Sequence, residues 1–192
     1  MIAAAESASP RDRLLAAASE LFYERGVHTV GIDTIIERAG VAKASLYNSF
    51  GSKDGLVRAY LETRHNARRA LLTAEIERHQ DPRERLLAIF DVLAGTVAQP
   101  GFRGCAFANA VAESELDSTA ADVTRNVRRW LLDTTLELTT ALGVADPAAL
   151  ARQLTLLYDG ALAQSRLDQT PAAAEAARAA ANALVDAALA ST

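Results

Sequence analysis

The chain has a single cysteine, Cys105, which excludes an internal disulfide framework. Its three histidines, His28, His65 and His79, stand too far apart to offer a zinc-ligand spacing, so no metal site is expected. No apolar run approaches the roughly 20 residues that cross a bilayer, so no membrane partner is expected. A Gly-x-Ser-x-Gly elbow, a phosphate-binding glycine loop and a histidine-centred nucleophile pair are all missing. That argues against an enzyme and leaves no motif for a cofactor. Positive charge is not in excess either: the net charge is −4, whereas a dedicated non-specific nucleic-acid binder is usually basic overall. Any contact with nucleic acid must therefore be local.

Lysine is almost absent, since 18 of the 20 basic residues are arginine, a bias that fits a GC-rich coding sequence. The two lysines, Lys43 and Lys53, flank one short segment, Val41-Ala42-Lys43-Ala44-Ser45-Leu46-Tyr47-Asn48-Ser49-Phe50 followed by Gly51-Ser52-Lys53. Residues 1–60 carry seven basic and seven acidic side chains, so all the excess acid lies in the later part. Half of the 192 residues are apolar, enough for a substantial buried core.

Apolar spacings of three and four predict helices throughout, and no β-branched run alternates at period two. Leu14, Leu15, Ala18, Leu21 and Phe22 define a helix over 11–25 that stops at Gly26. Ile32, Ile35, Ile36 and Ala39 define a second; Gly40 turns the corner, and 41–50 resumes with Leu46 and Phe50 one turn apart. This is a helix-turn-helix pattern. From a Ser52 cap a long helix runs to His79, about 40 Å at about 1.5 Å per residue. Further helices are expected over 82–98, 106–113, 117–142, 147–167 and 171–190, the last two with proline at the first helical position. The expected division is a loose arm over 1–10, a DNA-binding domain over 11–61, and a larger domain over 62–192. The arm is small and polar, without the basic-then-apolar order of a secretory leader. The lone thiol and this plain start suit a reducing cytoplasm.

On a helical wheel, Leu46 and Phe50 share one face of the segment 42–50 while Ala44, Ser45 and Asn48 lie opposite, with Tyr47 and Ser49 flanking. A short helix with small polar side chains outward can enter a major groove. Lys53, at a helix start, suits a phosphate, and Tyr47 can offer its hydroxyl to the same backbone. Each of these residues alone fits an ordinary surface position; together, after a glycine corner, they point to DNA.

The stretch from Gly26 through Val30-Gly31-Ile32-Asp33-Thr34-Ile35-Ile36-Glu37-Arg38-Ala39-Gly40-Val41 to Phe50, with Ser52-Lys53-Asp54, closely resembles the DNA-binding domain of the tetracycline-repressor (TetR) family of bacterial transcriptional regulators. The resemblance covers about residues 11–61. It implies an all-α homodimer with an N-terminal three-helix DNA-binding domain and a larger helical domain that dimerises and binds a small-molecule effector. It also implies that Ala42–Phe50 is the recognition helix and that Tyr47 and Lys53 contact phosphate. Gly31 and Thr34 match positions on the preceding helix that touch DNA; Lys43, Ala44, Ser45 and Ser49 match positions that read or approach bases. Three departures stand out: glycine at 31 and alanine at 42, where the family often has a hydroxyl cap, and Ser49, where it often has histidine.

In the second domain Phe90, Phe102, Phe107 and Trp130, with Arg103 and Asn109, could line an apolar pocket with polar anchors, or be ordinary core. Cys105 is either a redox-sensitive thiol or a small residue buried at a helix start. Leu150, Leu154, Leu157 and Ala161 form one stripe, and Ala177, Ala181 and Leu184 another; both suit a four-helix dimer interface or packing within one subunit.

The expected function is a repressor that binds a palindromic double-stranded DNA operator as a dimer and is released by an effector. A helical ligand-binding or enzymatic protein without specific DNA binding is one rival, and an architectural DNA binder another. Salt-sensitive selection of a palindrome from random duplexes separates the first reading from both.

Overall fold

A computed structural model of the chain describes residues 8–191; within it every regular element is a helix. The order is α1 (Pro10–Arg25), α2 (Ile32–Ala39), α3 (Lys43–Phe50), α4 (Lys53–Glu77), α5 (Pro82–Val97), α6 (Ala106–Ala112), α7 (Thr119–Ala141), α8 (Pro147–Asp168) and α9 (Ala172–Ala190). Most of the expected arm lies outside the described residues. Its end is the start of α1: the amide of Asp12 donates to the Ser9 hydroxyl at 3.2 Å, and Pro10 occupies the first turn.

Two compact units result. The first holds the described residues up to His65 together with Ala106–Arg125, and the second holds Asn66–Cys105 and Asn126 onward. The N-terminal unit thus extends past residue 61 and takes in α6 and the first turns of α7. Helices α4 and α7 contribute residues to both units.

In the first unit, Leu14, Ala18, Leu21 and Phe22 of α1 face Leu56, Val57, Tyr60 and Leu61 of α4 as buried residues of one core. Phe22 and Tyr60 meet edge to face with ring centroids 5.6 Å apart. Helices α2 and α3 are too short to persist alone and are held by burying Ile35, Ala39 and Leu46. Gly40 ends α2 in the left-handed region at φ 62°, where its N–H reaches the carbonyls of Ile36 and Glu37. A side chain with a Cβ is strained in that conformation, which is why the corner needs glycine.

In the second unit α5, α8 and α9 pack around Leu86, Leu87, Phe90, Leu93, Leu154 and Val185. Two arginines tie α5 to α9: Arg83 donates to Asn182 Oδ1 at 2.6 Å and Asp186 Oδ1 at 2.9 Å, and Arg178 pairs with Asp91. Thr139 Oγ1 donates to the Pro147 carbonyl at 2.9 Å, joining the end of α7 to the start of α8. Pro147 takes the expected first helical position behind an Asp146 cap. Pro171 instead sits at the N-cap of α9, because the Thr170 hydroxyl accepts from the Ala172 amide and shifts the start by one residue.

Leu154 is 1% exposed and reaches only apolar neighbours of this core. Leu154→Ala is expected to lower unfolding stability by about 2–5 kcal/mol while leaving native helix content unchanged, as read by urea denaturation with far-ultraviolet circular dichroism.

Candidate nucleic-acid interface

Helix α3 presents Lys43, Ala44, Tyr47 and Asn48 to solvent, with Ser45, Ser49 and Phe50 half-buried and Leu46 fully buried. These exposed positions follow one helical stripe, so the outward surface is small and polar on either side of one tyrosine. Tyr47 is 46% exposed. Gly31 and Thr34, at the start of α2, are also exposed. Neither Gly31 nor Ala42 supplies a side-chain cap, as their side chains require, so early amides of both helices keep no side-chain acceptor. Beneath this surface the Arg11 guanidinium lies 5.1 Å from the Phe50 ring centroid, fixing the end of α3 against α1.

The two lysines are held differently. Lys43 Nζ donates to Asp33 Oδ1 at 3.0 Å across the helix-turn-helix, and this bond raises its pKa above the ordinary lysine value. The pair is exposed, so a phosphate or base edge can compete with it. Lys53 is half-buried and donates to the His28 carbonyl at 3.2 Å. Partial burial pulls its pKa below the ordinary value, against the opposing attraction of Asp54 and Glu113. Ser52 caps the same helix start by accepting from the Gly55 amide at 3.0 Å.

Sequence reasoning missed two residues here. Asp33 stands ten positions before Lys43, and an acid in the first turn of α2 gives no hint of that pairing. Glu113 follows α6 and accepts the His28 N–H at 2.9 Å, across 85 residues. A Cβ at Gly26 would come within 2.4 Å of its carboxylate, and Gly26 has φ 93°, so glycine is required there on both counts. The His28 peptide group is consequently gripped from both sides, its N–H by Glu113 and the carbonyl by Lys53. No local signal could announce this. Alongside lies a cleft of about 330 Å³ lined by His28, Lys53, Asp54, Ser114 and Ser118.

The expected pocket residues do not gather at one place. Phe90 is buried in the second unit, edge to face with Tyr158 at 6.4 Å. Half-buried Trp130 lies under Arg69, whose guanidinium is 5.8 Å from the ring centroid. Phe107, buried, and Asn109, half-buried, belong to α6 in the first unit. Phe102 and Arg103 line an open cleft of about 680 Å³ in the second unit. Cys105 is half-buried at the entry to α6. As for the stripes on α8 and α9, Leu150, Leu154, Ala161, Ala177 and Ala181 are buried within one chain, and Leu157 and Leu184 pack against the same core. Those side chains fill a core, and the faces left open on these helices are the opposite ones. Among the described residues no cluster of three metal-ligating side chains occurs, and no helix is long and apolar enough to cross a membrane.

Residues 14–60 match the profile of bacterial regulatory proteins of the tetR family. The structure superposes on that of SCO4454, a TetR-family transcriptional regulator from Streptomyces coelicolor, with a TM-score of 0.89 and 35% identity over 94% of this chain and 96% of that one. It also superposes on sav143 from Streptomyces avermitilis, with a TM-score of 0.82 and 32% identity over 94% and 98%. Among curated relatives, it is 44% identical over 89 residues to the transcriptional activator FasR of Mycolicibacterium smegmatis, covering 43% of this chain and 40% of that protein. To the transcriptional regulator TtgR of Pseudomonas putida it is 36% identical over 93 residues, 46% of this chain and 44% of that one. The match therefore spans less than half the length of these curated relatives.

The grip of Glu113 on the loop before α2 gives a direct measurement. Glu113→Ala is expected to speed hydrogen exchange at the His28 amide by about tenfold, whereas Glu113→Gln, which keeps an acceptor oxygen, restores most of the protection. Equal exchange in all three proteins would show that the bond does not restrain the loop.

Proposed function

We propose, from the premise that this chain belongs to the TetR family of bacterial regulatory proteins, that it binds a palindromic operator as a dimer and releases it when a small molecule occupies the second unit. Membership makes the chain a DNA-binding transcriptional regulator and not an enzyme. The observation that carries the finer reading is the exposed stripe of α3 over a fully buried Leu46. A helix presenting Lys43, Ala44, Tyr47 and Asn48 has the slim polar profile a major groove admits. In this reading Lys43, Ala44, Ser45 and Ser49 approach base edges, while Tyr47, Lys53, Thr34 and the open amide at Gly31 take phosphates. Such work belongs in the cytoplasm, where the chromosome is.

Dimerisation is supported by the outward faces of α8 and α9. Leu156 and Leu167 are 74% and 77% exposed, and they alternate with exposed Gly160 and Ala163 at spacings of four, three and four. On α9, Ala176, Ala179, Ala183 and Ala187 form an exposed stripe of the same spacing. Two such helix pairs make a four-helix contact about a twofold axis, with small residues allowing close backbone approach. Recognition helices would then meet half-sites about 34–36 Å apart.

Repression rests on a physical ground. That spacing is a narrow requirement, so an effector that shifts α4 or the elements around it spoils the fit more readily than it creates one. FasR, the similar protein named an activator, shows that a related DNA-binding sequence also serves the opposite sign.

Selection from random duplexes is expected to return a palindrome whose affinity falls steeply with salt. Lys53→Ala should weaken binding about equally across sequences, and Lys43→Ala or Ser49→Ala should change which sequence is preferred. Selection of no common site would sink the reading. Leu156→Asp combined with Ala179→Glu is expected to turn the dimer into monomers in analytical ultracentrifugation, with helix content kept; a surviving dimer would place the interface elsewhere.

A further inference from the structure

The open cleft of about 680 Å³ in the second unit lies among the C-terminal end of α5, the loop that follows it, the last turn of α8 and the α8–α9 connection. Its size suits a small molecule. Two arginines, Arg103 and Arg166, line it, and its lining includes no aspartate or glutamate. The rest is largely apolar, with Val97, Phe102, Leu167 and Pro171 on the walls.

Arg166 is fixed in advance. Its Nη1 donates to the Arg103 carbonyl, and its aliphatic stem lies so close to Gly104 that a Cβ there would come within 2.4 Å of Arg166 Cδ. A guanidinium has five N–H donors, so this bond leaves others for a ligand. Carbonyls at the ends of α5 and α8 would oppose a nearby anion, but the side-chain amides of Gln99 and Gln169 cover those of Gly95 and Arg166.

Ser165 supplies an independent sign. It lines the same cleft, is 1% exposed, and its hydroxyl has no hydrogen-bond partner. A serine within a helix ordinarily turns back to the carbonyl four residues before it, as Thr155 does to Ala151 at 3.0 Å. A buried hydroxyl left without a partner is costly, and a ligand oxygen would satisfy it.

We propose that this cleft binds a small carboxylate with an apolar tail, the carboxylate between Arg166 and Arg103 beside the Ser165 hydroxyl, and the tail along Phe102 and Leu167. Planar guanidinium donors match a carboxylate in pairs, which an alcohol cannot exploit. The proposal names a ligand class for the effector reading above and rests on that reading only for its consequence at the operator. Leu167 also belongs to the outward stripe of α8, so in a dimer the second copy would close one side of the rim.

Calorimetric titration of the full chain without DNA tests the site, using octanoate, 1-octanol and inorganic phosphate as probes. Octanoate is expected to bind saturably, one per subunit, and about tenfold or more tighter than either other probe. Arg103→Gln, which keeps the backbone carbonyl that Arg166 holds, should weaken octanoate by about tenfold and leave octanol unchanged. Ser165→Ala should weaken octanoate by a smaller factor and leave octanol unchanged. No saturable octanoate binding, equal binding of octanoate and octanol, phosphate binding as tightly as octanoate, or an Arg103→Gln protein that binds octanoate like the parent would each overturn the proposal. Adding octanoate to the operator complex then separates the two readings: release supports both, whereas binding without release keeps the site and removes its role as the effector switch.

Discussion

An eight-residue helix cannot hold its own shape in water, and the reading surface of this protein is such a helix. Everything it does depends on Leu46, which is wholly buried and joins α3 to the core beneath. That core is itself fixed by the contact of Phe22 with Tyr60, an aromatic pair that locks α1 to the first half of α4. Arg64 extends it by stacking over Tyr23 at 3.8 Å and Tyr60 at 5.5 Å. The outward face of α3 is then free to be small and polar, because it contributes little to its own stability.

A net charge of −4 leaves few cations for DNA, and those at the interface already have partners. Lys43 has Asp33, Arg38 has Glu20, and Lys53 has the His28 carbonyl with Glu113 nearby. An operator must therefore exchange these contacts for its own. Such exchange lowers affinity for any chance duplex and favours one whose phosphates and bases meet several groups together. The near absence of lysine begins as composition; the placement of the two that remain gives them separate environments, one exposed and paired with an acid, the other half-buried on a backbone carbonyl.

In the second unit, alanine-rich helices have two apolar faces each. The inward face of α8 and α9 carries larger or better-fitting residues such as Leu150, Leu154 and Val185 and is consumed by the chain's own core. The outward face carries Gly160, Ala163 and the alanines of α9, interrupted by Leu156 and Leu167, which have no cover in one chain. Two such faces on the same helices allow a subunit to complete its fold and still offer a surface to a second copy. The ends of the same helices, where backbone groups run out of partners, shape the cleft at Arg103 and Arg166.

What the sequence determined by itself is local in origin. Apolar spacings of three and four, glycine at 26 and 40, and hydroxyl or acidic caps at 52, 118 and 146 located the helices to within a few residues, because each signal acts within one or two turns. The same locality made α3 legible, since its exposed stripe follows from eight consecutive residues. Only the tertiary structure decided which of two plausible apolar stripes on α8 and α9 fills the core, since a wheel shows both equally. It alone joined Glu113 to His28 and Lys43 to Asp33, and assigned α6 to the N-terminal unit. It also parted Phe107 and Asn109 from Phe90 and Trp130. Those outcomes depend on contacts between residues far apart along the chain, where packing competes among many partners and no periodicity in the sequence records which partner wins.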